Sequence, residues 1–206
     1  MKPVLAILML LYPLSLAGAQ VNADRFDVSL SAGLALPGTI EASLVSSDFP
    51  PESTASFTSR ISPLVRLQTE YFLLPSLAPS LAIHYAGLLL ERDIDLGFWD
   101  GRQHSIPRDD LHFLQVEGGI KYRHFFSRSV SVEPAVYFGY CHVVSSSPDA
   151  RNNGFTVDLA ADVKWRLRGF HLLGTAGIMA QLYGGVEGVA WVRSYPVVYM
   201  TAGAGL

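Results

Sequence analysis

The chain has 206 residues and a net charge of -3; half its residues are apolar and only 16% are charged, against about 25% charged in soluble domains. That deficit argues against a globule coated with water on all sides, and the slightly acidic balance gives no basis for a nucleic-acid partner. The single cysteine, Cys141, excludes an intrachain disulfide.

The N-terminus carries Lys2, then a run from Val4 to Leu16 interrupted by Tyr12, Pro13 and Ser15, then Ala17-Gly18-Ala19. Residues 1–19 read as a signal peptide cleaved after Ala19, because the run falls short of the roughly 20 residues a spanning helix needs. No cysteine follows the cleavage position, so a lipid anchor is not expected. Residues 20–206 read as one domain, with no linker of distinct composition. No later stretch of apolar residues is long enough for a spanning helix. A bilayer resident of this composition must therefore be a closed barrel, the other structure that satisfies every backbone group in lipid.

The strands follow from a two-residue period, since side chains alternate faces along a strand. The first, about residues 25–37, separates Phe26, Val28, Leu30, Ala32 and Leu34 from Asp27, Ser29 and Ser31. A long link rich in Ser, Thr and Pro runs from Gly38 to Ser59. The second strand, 60–74, sets Val65, Leu67, Thr69, Tyr71 and Leu73 against Arg66, Gln68 and Glu70. The short link Pro75–Pro79 leads to the third, 80–92, whose pattern Leu88 and Leu90 interrupt. A long charged link from Asp93 to Asp110, read as a solvated loop, precedes the fourth, 111–125. There Leu114, Val116, Ile120 and Tyr122 oppose Gln115, Glu117, Lys121 and Arg123. Phe126-Ser127-Arg128 turns into the fifth, 129–142, where Glu133 faces the polar side and Pro134, lacking a ladder N–H, implies a local bulge. The loop from Val143 to Asn153 precedes the sixth, 154–167, the most regular. It places Phe155, Val157, Leu159, Val163 and Trp165 on one face and Asp158, Asp162, Lys164 and Arg166 on the other. Arg168-Gly169 turns at once into the seventh, 170–182, where Leu173 and Met179 break the pattern; a long link from Tyr183 to Tyr195 leads to the eighth, 196–206.

The expected fold is a closed, all-β, eight-stranded antiparallel up-and-down transmembrane barrel. Long and short links alternate, as external loops and periplasmic turns do in such barrels. Phe26, Tyr71, Phe72, Tyr122, Phe125, Phe126, Trp165 and Phe170 fall at the short-link ends, and Tyr140, Phe155, Tyr183, Trp191 and Tyr195 at the long-link ends. Those positions suit interfacial girdles. The inner face is expected to carry five basic and five acidic groups, Arg66, Lys121, Arg123, Lys164 and Arg166 with Glu70, Glu117, Glu133, Asp158 and Asp162, forming ion pairs between neighbouring strands inside the lumen. An eight-stranded interior is filled by side chains, which argues against an open porin.

The loop alternation, leader and charged inner face together resemble the small eight-stranded outer-membrane barrels, the family of the OmpA transmembrane domain and OmpX. The chain departs from that family in ending Gly205-Leu206 rather than in an aromatic residue. The resemblance implies an outer-membrane location, contact with outer-membrane lipid and lipopolysaccharide, and engagement of the insertion machinery. Any extracellular ligand would meet the loops, where Trp191, Arg193 and Tyr195 are the most adhesive group.

No catalytic, cofactor or metal site is expected. None of His84, His104, His112, His124, His142 or His171 has Ser two residues later, the pair the lipid A deacylase type resembles, and no two His stand two apart on a strand face. His142 precedes Ser145, Ser146, Ser147 and Asp149, but these run into a loop. A lipid A-modifying enzyme is one alternative. A secreted lipocalin-like barrel with inverted faces, apolar side inward around an apolar ligand, is the other.

Overall fold

The computed structural model describes residues 25–44, 54–99, 102–146, 152–181, 184–186, 190–194 and 196–206. The expected signal peptide, residues 1–19, lies outside them, as do Tyr183 and Tyr195. In chain order the strands are β1 (Phe26–Ala35), β2 (Thr39–Leu44), β3 (Thr54–Thr58), β4 (Ser62–Tyr71), β5 (Leu77–Leu88), β6 (Ile94–Trp99), β7 (Arg102–Ile106) and β8 (Leu111–Tyr122). They continue with β9 (His124–Phe125), β10 (Val130–Val144), β11 (Asn152–Leu167), β12 (Phe170–Gln181), β13 (Gly184–Val186), β14 (Ala190–Ser194) and β15 (Pro196–Gly205).

Eight of these form a ring in the order β1–β4–β5–β8–β10–β11–β12–β15 and back to β1, every neighbour antiparallel. These staves are the eight strands expected from the two-residue period. The seam closes where Ser29 stands opposite Gly205, and Leu206 and Val28 exchange backbone hydrogen bonds at 2.9 and 3.1 Å. Closure leaves the barrel wall without an edge that would need water or another chain.

The short links gather at one end. Leu167 faces Phe170 across the two-residue turn Arg168-Gly169, where Gly169 sits at φ 86°, a left-handed conformation that glycine adopts without steric cost. At the other end, three of the four long links contain strands that their composition did not reveal. Strand β2 pairs with β3 and β14, β14 with β13, and β13 with the outer end of β11, where Asn152 faces Val186. The first and last long links thus extend the barrel wall as one sheet, while β6 and β7 form a separate hairpin. Segments such as Thr39–Leu44 are short, with Ile40, Ala42 and Leu44 alternating with Thr39, Glu41 and Ser43, and pairing between distant links makes them strands.

The expected bulge at Pro134 is absent: β10 runs in unbroken register against β11, with Pro134 opposite Ala161. On the other side of β10 the ladder is interrupted between β8 and β9, while the Arg123 N–H continues the β5–β8 pairing by donating to the Ser76 carbonyl. A strand residue with no donor is accommodated beside that gap.

Faces sort as the period requires. Phe155, Leu159, Val163 and Trp165 are 63%, 54%, 49% and 52% exposed on the outer wall, with Val157 half-buried. The lipocalin-like alternative needs these side chains inside and is overturned by their orientation. Leu88, Leu90 and Met179, which interrupt the alternating pattern, point inward and pack with Leu64 and Phe113 in an apolar plug at the long-link end. Leu173 is buried as well. Phe72 is likewise buried rather than part of a girdle, whereas Tyr122, Phe125, Phe126, Trp165 and Phe170 are exposed near the short-link end, and Tyr140 and Phe155 toward the long-link end.

At Gly139 on β10 neighbouring staves approach closely: a Cβ there would lie 2.2 Å from the Val116 carbonyl oxygen and 2.6 Å from Glu117 Cα. Gly139→Val is expected to destabilise the folded barrel by about 1–3 kcal/mol, the usual cost of overpacking. The urea midpoint should show this, while Gly118→Val, whose Cβ meets nothing within 4 Å, leaves it unchanged.

Candidate functional site

The inner wall brings like charges side by side. In the β1–β4 register Asp27 stands opposite Glu70, and in β10–β11 Glu133 stands opposite Asp162, all facing inward. Carboxylates placed directly opposite each other repel, so the lumen holds together only if cations reach between them.

Two lysines and an arginine do this. Lys164 Nζ on β11 lies 3.0 Å from Asp27, 2.8 Å from Glu70 Oε1 and 3.2 Å from Glu133. Lys121 Nζ on β8 donates to Glu70 at 2.5 Å and to Asp162, and stands 3.8 Å from Glu133. Arg123 donates through Nε to Glu133, reaches Glu70 at 3.7 Å and Asp27 at 3.8 Å, and lays its guanidinium 3.4 Å above the buried Phe72 ring. Gln68 adds an amide N–H to Asp162 at 3.0 Å, and Ser131 a hydroxyl to Glu133 at 2.9 Å.

One level toward the long links, Arg66 on β4 lies 3.6 Å from Asp162 and 4.0 Å from Asp158. Its guanidinium carbon is 5.1 Å from the Tyr137 ring centroid and 6.0 Å from that of Tyr199, so two aromatic faces support a charge with few hydrogen bonds. Strands β4 and β11 are diametrically opposed in the ring order. The Arg66–Asp162 and Lys164–Glu70 contacts therefore cross the lumen, whereas the sequence pointed to pairs between neighbouring strands.

The expected balance of five basic and five acidic groups changes in two places. Arg166 is only half-buried, its guanidinium 5.3 Å from the Phe125 ring near the short-link mouth. Asp27, assigned to the polar face but not to the ion pairs, is buried among them. Among the described residues the buried set is Arg66, Lys121, Arg123 and Lys164 against six carboxylates, Asp27, Glu70, Glu117, Glu133, Asp158 and Asp162. His84 and His171 are buried here too, and single-residue spacing gave no sign of them, because each owes its neighbours to strands distant in sequence. His171 Nε2 stands 3.4 Å from Asp27.

Above this layer lies the apolar plug, in which Leu88, Phe113 and Met179 help to line a cavity of about 20 Å³, room for roughly one water molecule. Outside the lumen, His142 shares a 2.5 Å hydrogen bond with Asn153, and Asp110 accepts from Ser145 and Ser146. His142 and the nearby Ser145 and Ser146 are engaged by different partners rather than joined in a relay; Ser147 and Asp149 lie outside the described residues. Trp191 sits on β14 between Gly185 and Ser43 in the register, and Arg193 at the bulge between Val192 and Ser194; Tyr195 lies outside the described residues.

No family model matches the chain, and no curated protein does. Among solved structures it is similar to Neisserial surface protein A, at 14% identity over 88% of this chain and 96% of that one, with a TM-score of 0.48. It is also similar to Ail, the attachment invasion locus protein of Yersinia pestis, at 11% identity over 88% and 99% with a TM-score of 0.44. The outer membrane protease OmpT of Escherichia coli resembles it at 9% identity over 89% and 97%, with a TM-score of 0.45. These are likenesses of architecture.

Lys164→Ala leaves Asp27 and Glu133 without their nearest ammonium and Glu70 without one of its two. It is expected to destabilise the barrel by about 3–5 kcal/mol, measured by urea unfolding in detergent or lipid vesicles. Adding Glu70→Gln to that variant should recover part of the loss, since one stranded charge is then removed.

Proposed function

We propose that the chain is an integral outer-membrane barrel protein of a diderm bacterium, non-enzymatic and closed to solutes, acting as a structural element or through its extracellular face. The observation that carries the reading is the inversion of an ordinary core: the charged side chains are buried and the outer wall is clad in exposed Leu, Ile, Val, Phe and Met. An apolar surface running round the molecule far exceeds the patches soluble monomers expose. Hydrocarbon is the environment that makes it favourable, and a closed sheet is one of the two structures that tolerate it. Outer-membrane lipid and lipopolysaccharide would cover this wall, and the insertion machinery would place it there.

The long-link end is the surface available to an extracellular ligand. Its sheet of β2, β3, β13 and β14 gives recognition a firm base, and loops on a rigid scaffold carry recognition. Trp191, Arg193 and Tyr195 belong to this end and are the residues to vary first. The ion-paired lumen and the apolar plug serve stability and closure in this reading.

Fractionation tests the location: the protein should sediment with outer membranes, need detergent for extraction and migrate differently on gels before and after heating. Recovery from periplasm or medium without detergent would sink the proposal. Val163→Arg puts a cation near mid-bilayer on the lipid face and should cost about 2–4 kcal/mol of assembly, seen as loss of the heat-modifiable band. In planar bilayers the unaltered protein should show no large, stable open state, and such a state would contradict the closed interior.

A further inference from the structure

His84 on β5, Glu117 on β8 and Asp158 on β11 meet inside the barrel, each no more than 1% exposed. His84 Nε2 lies 3.3 Å from Glu117 Oε2 and 3.7 Å from Asp158 Oδ2. Neither imidazole nitrogen has a hydrogen-bond partner, and neither do Glu117 Oε2 and Asp158 Oδ1. Glu117 is held by its second oxygen, whereas Asp158 is held by the same Oδ2 that lies nearest His84. Thr156 Oγ1 donates to Glu117 Oε1, and Tyr199 Oη donates to Asp158 Oδ2 at 2.7 Å. Thr156 reaches Glu117 across β10 because the residue between them in the register is Gly139.

The neighbouring cluster of Glu70, Glu133 and Asp162 has a comparable set of donors, but Lys121 and Lys164 already stand among them. Around His84 the nearby cation is Arg66, at 4.0 Å from Asp158 and shared with Asp162. Among the described residues the buried lumen has two more carboxylates than Arg and Lys side chains, a deficit that one divalent cation would fill.

We infer that His84, Glu117 and Asp158 form a binding site for one divalent transition-metal ion of the zinc class. An imidazole nitrogen with two carboxylate oxygens suits zinc, whereas calcium takes six to eight oxygen ligands and magnesium a near-ideal octahedron. Zinc bonds of about 2.0–2.2 Å in tetrahedral array put donors roughly 3.3–3.6 Å apart. The 3.3 and 3.7 Å spacings found here match that better than the 2.7–3.2 Å of direct hydrogen bonds. Thr156 and Tyr199 act as positioning residues: Thr156 holds Glu117 by Oε1 with Oε2 turned to His84, and Tyr199 holds Asp158 by Oδ2, the oxygen nearest His84. The metal would tie three separate staves together from within.

The test uses the folded barrel in detergent, stripped of metal, given Zn²⁺ alone, desalted and assayed for bound zinc. About one zinc per chain should be retained, with a rise in the temperature at which the heat-modifiable band is lost. His84→Gln and Asp158→Asn should lose that zinc while still migrating as folded barrels, and the exposed His142→Ala should keep it. Tyr199→Phe leaves all three donors in place and should weaken zinc binding about 10- to 100-fold; it keeps the test decisive where a donor variant fails to fold. Failure of the folded wild type to retain zinc, or equal retention by His84→Gln or Tyr199→Phe, would overturn the inference.

Discussion

Carboxylates that stand side by side on the inner wall can remain buried only because cations arrive from the opposite wall. Asp27 beside Glu70 and Glu133 beside Asp162 are repulsive neighbours within their own strand pairs. Lys164 and Lys121 reverse that by touching acids from both pairs at once. Such contacts exist only if β4 and β11 face each other across a tube of this diameter, so the charge arrangement and the closure of the sheet depend on one another. Removing a partner strands a charge in a place with no water to solvate it, which ties the stability of the lumen to the full set.

Burying these charges sets the outer surface as well. With a period of two, every strand that turns its acids and bases inward must turn the intervening Leu, Val and Phe outward. A register slip of one residue would put Asp158, Asp162 and Lys164 on the outside and Phe155, Val163 and Trp165 in the lumen. The charged interior and the apolar exterior are thus one constraint seen from two sides, and a bilayer is the environment in which both are satisfied.

The lumen is not uniform along its axis. Ion pairs occupy the level near the short turns, the Arg66, His84 and Tyr199 level lies above them, and the apolar plug closes the end from which the long links rise. Leu88, Leu90 and Met179 look like errors in an alternating pattern when each strand is read alone. In the folded barrel they are the plug, at a height where an inward apolar residue meets others of its kind. Beyond it, the pairing of β2 with β14 gives the exposed end an ordered sheet on which a recognition surface can be built.

The sequence by itself determined the eight staves, their faces and the alternation of long and short links, because a two-residue period and turn residues such as Arg168-Gly169 are local signals that survive in a linear string. It also marked the inward charges from Arg66 to Lys164, since parity alone assigns them a side. Only the tertiary structure decided who meets whom. The crossing of Lys164 to Glu70, the recruitment of Asp27, the exit of Arg166 to the mouth and the meeting of His84 with Glu117 and Asp158 all join strands distant along the chain. Their heights depend on register and closure, which no window of neighbouring residues encodes. The same holds for β2, β3, β13 and β14: none is longer than six residues, too short a run for its pattern to stand out in a long link, and their backbones become strands when the barrel brings the first and last long links together.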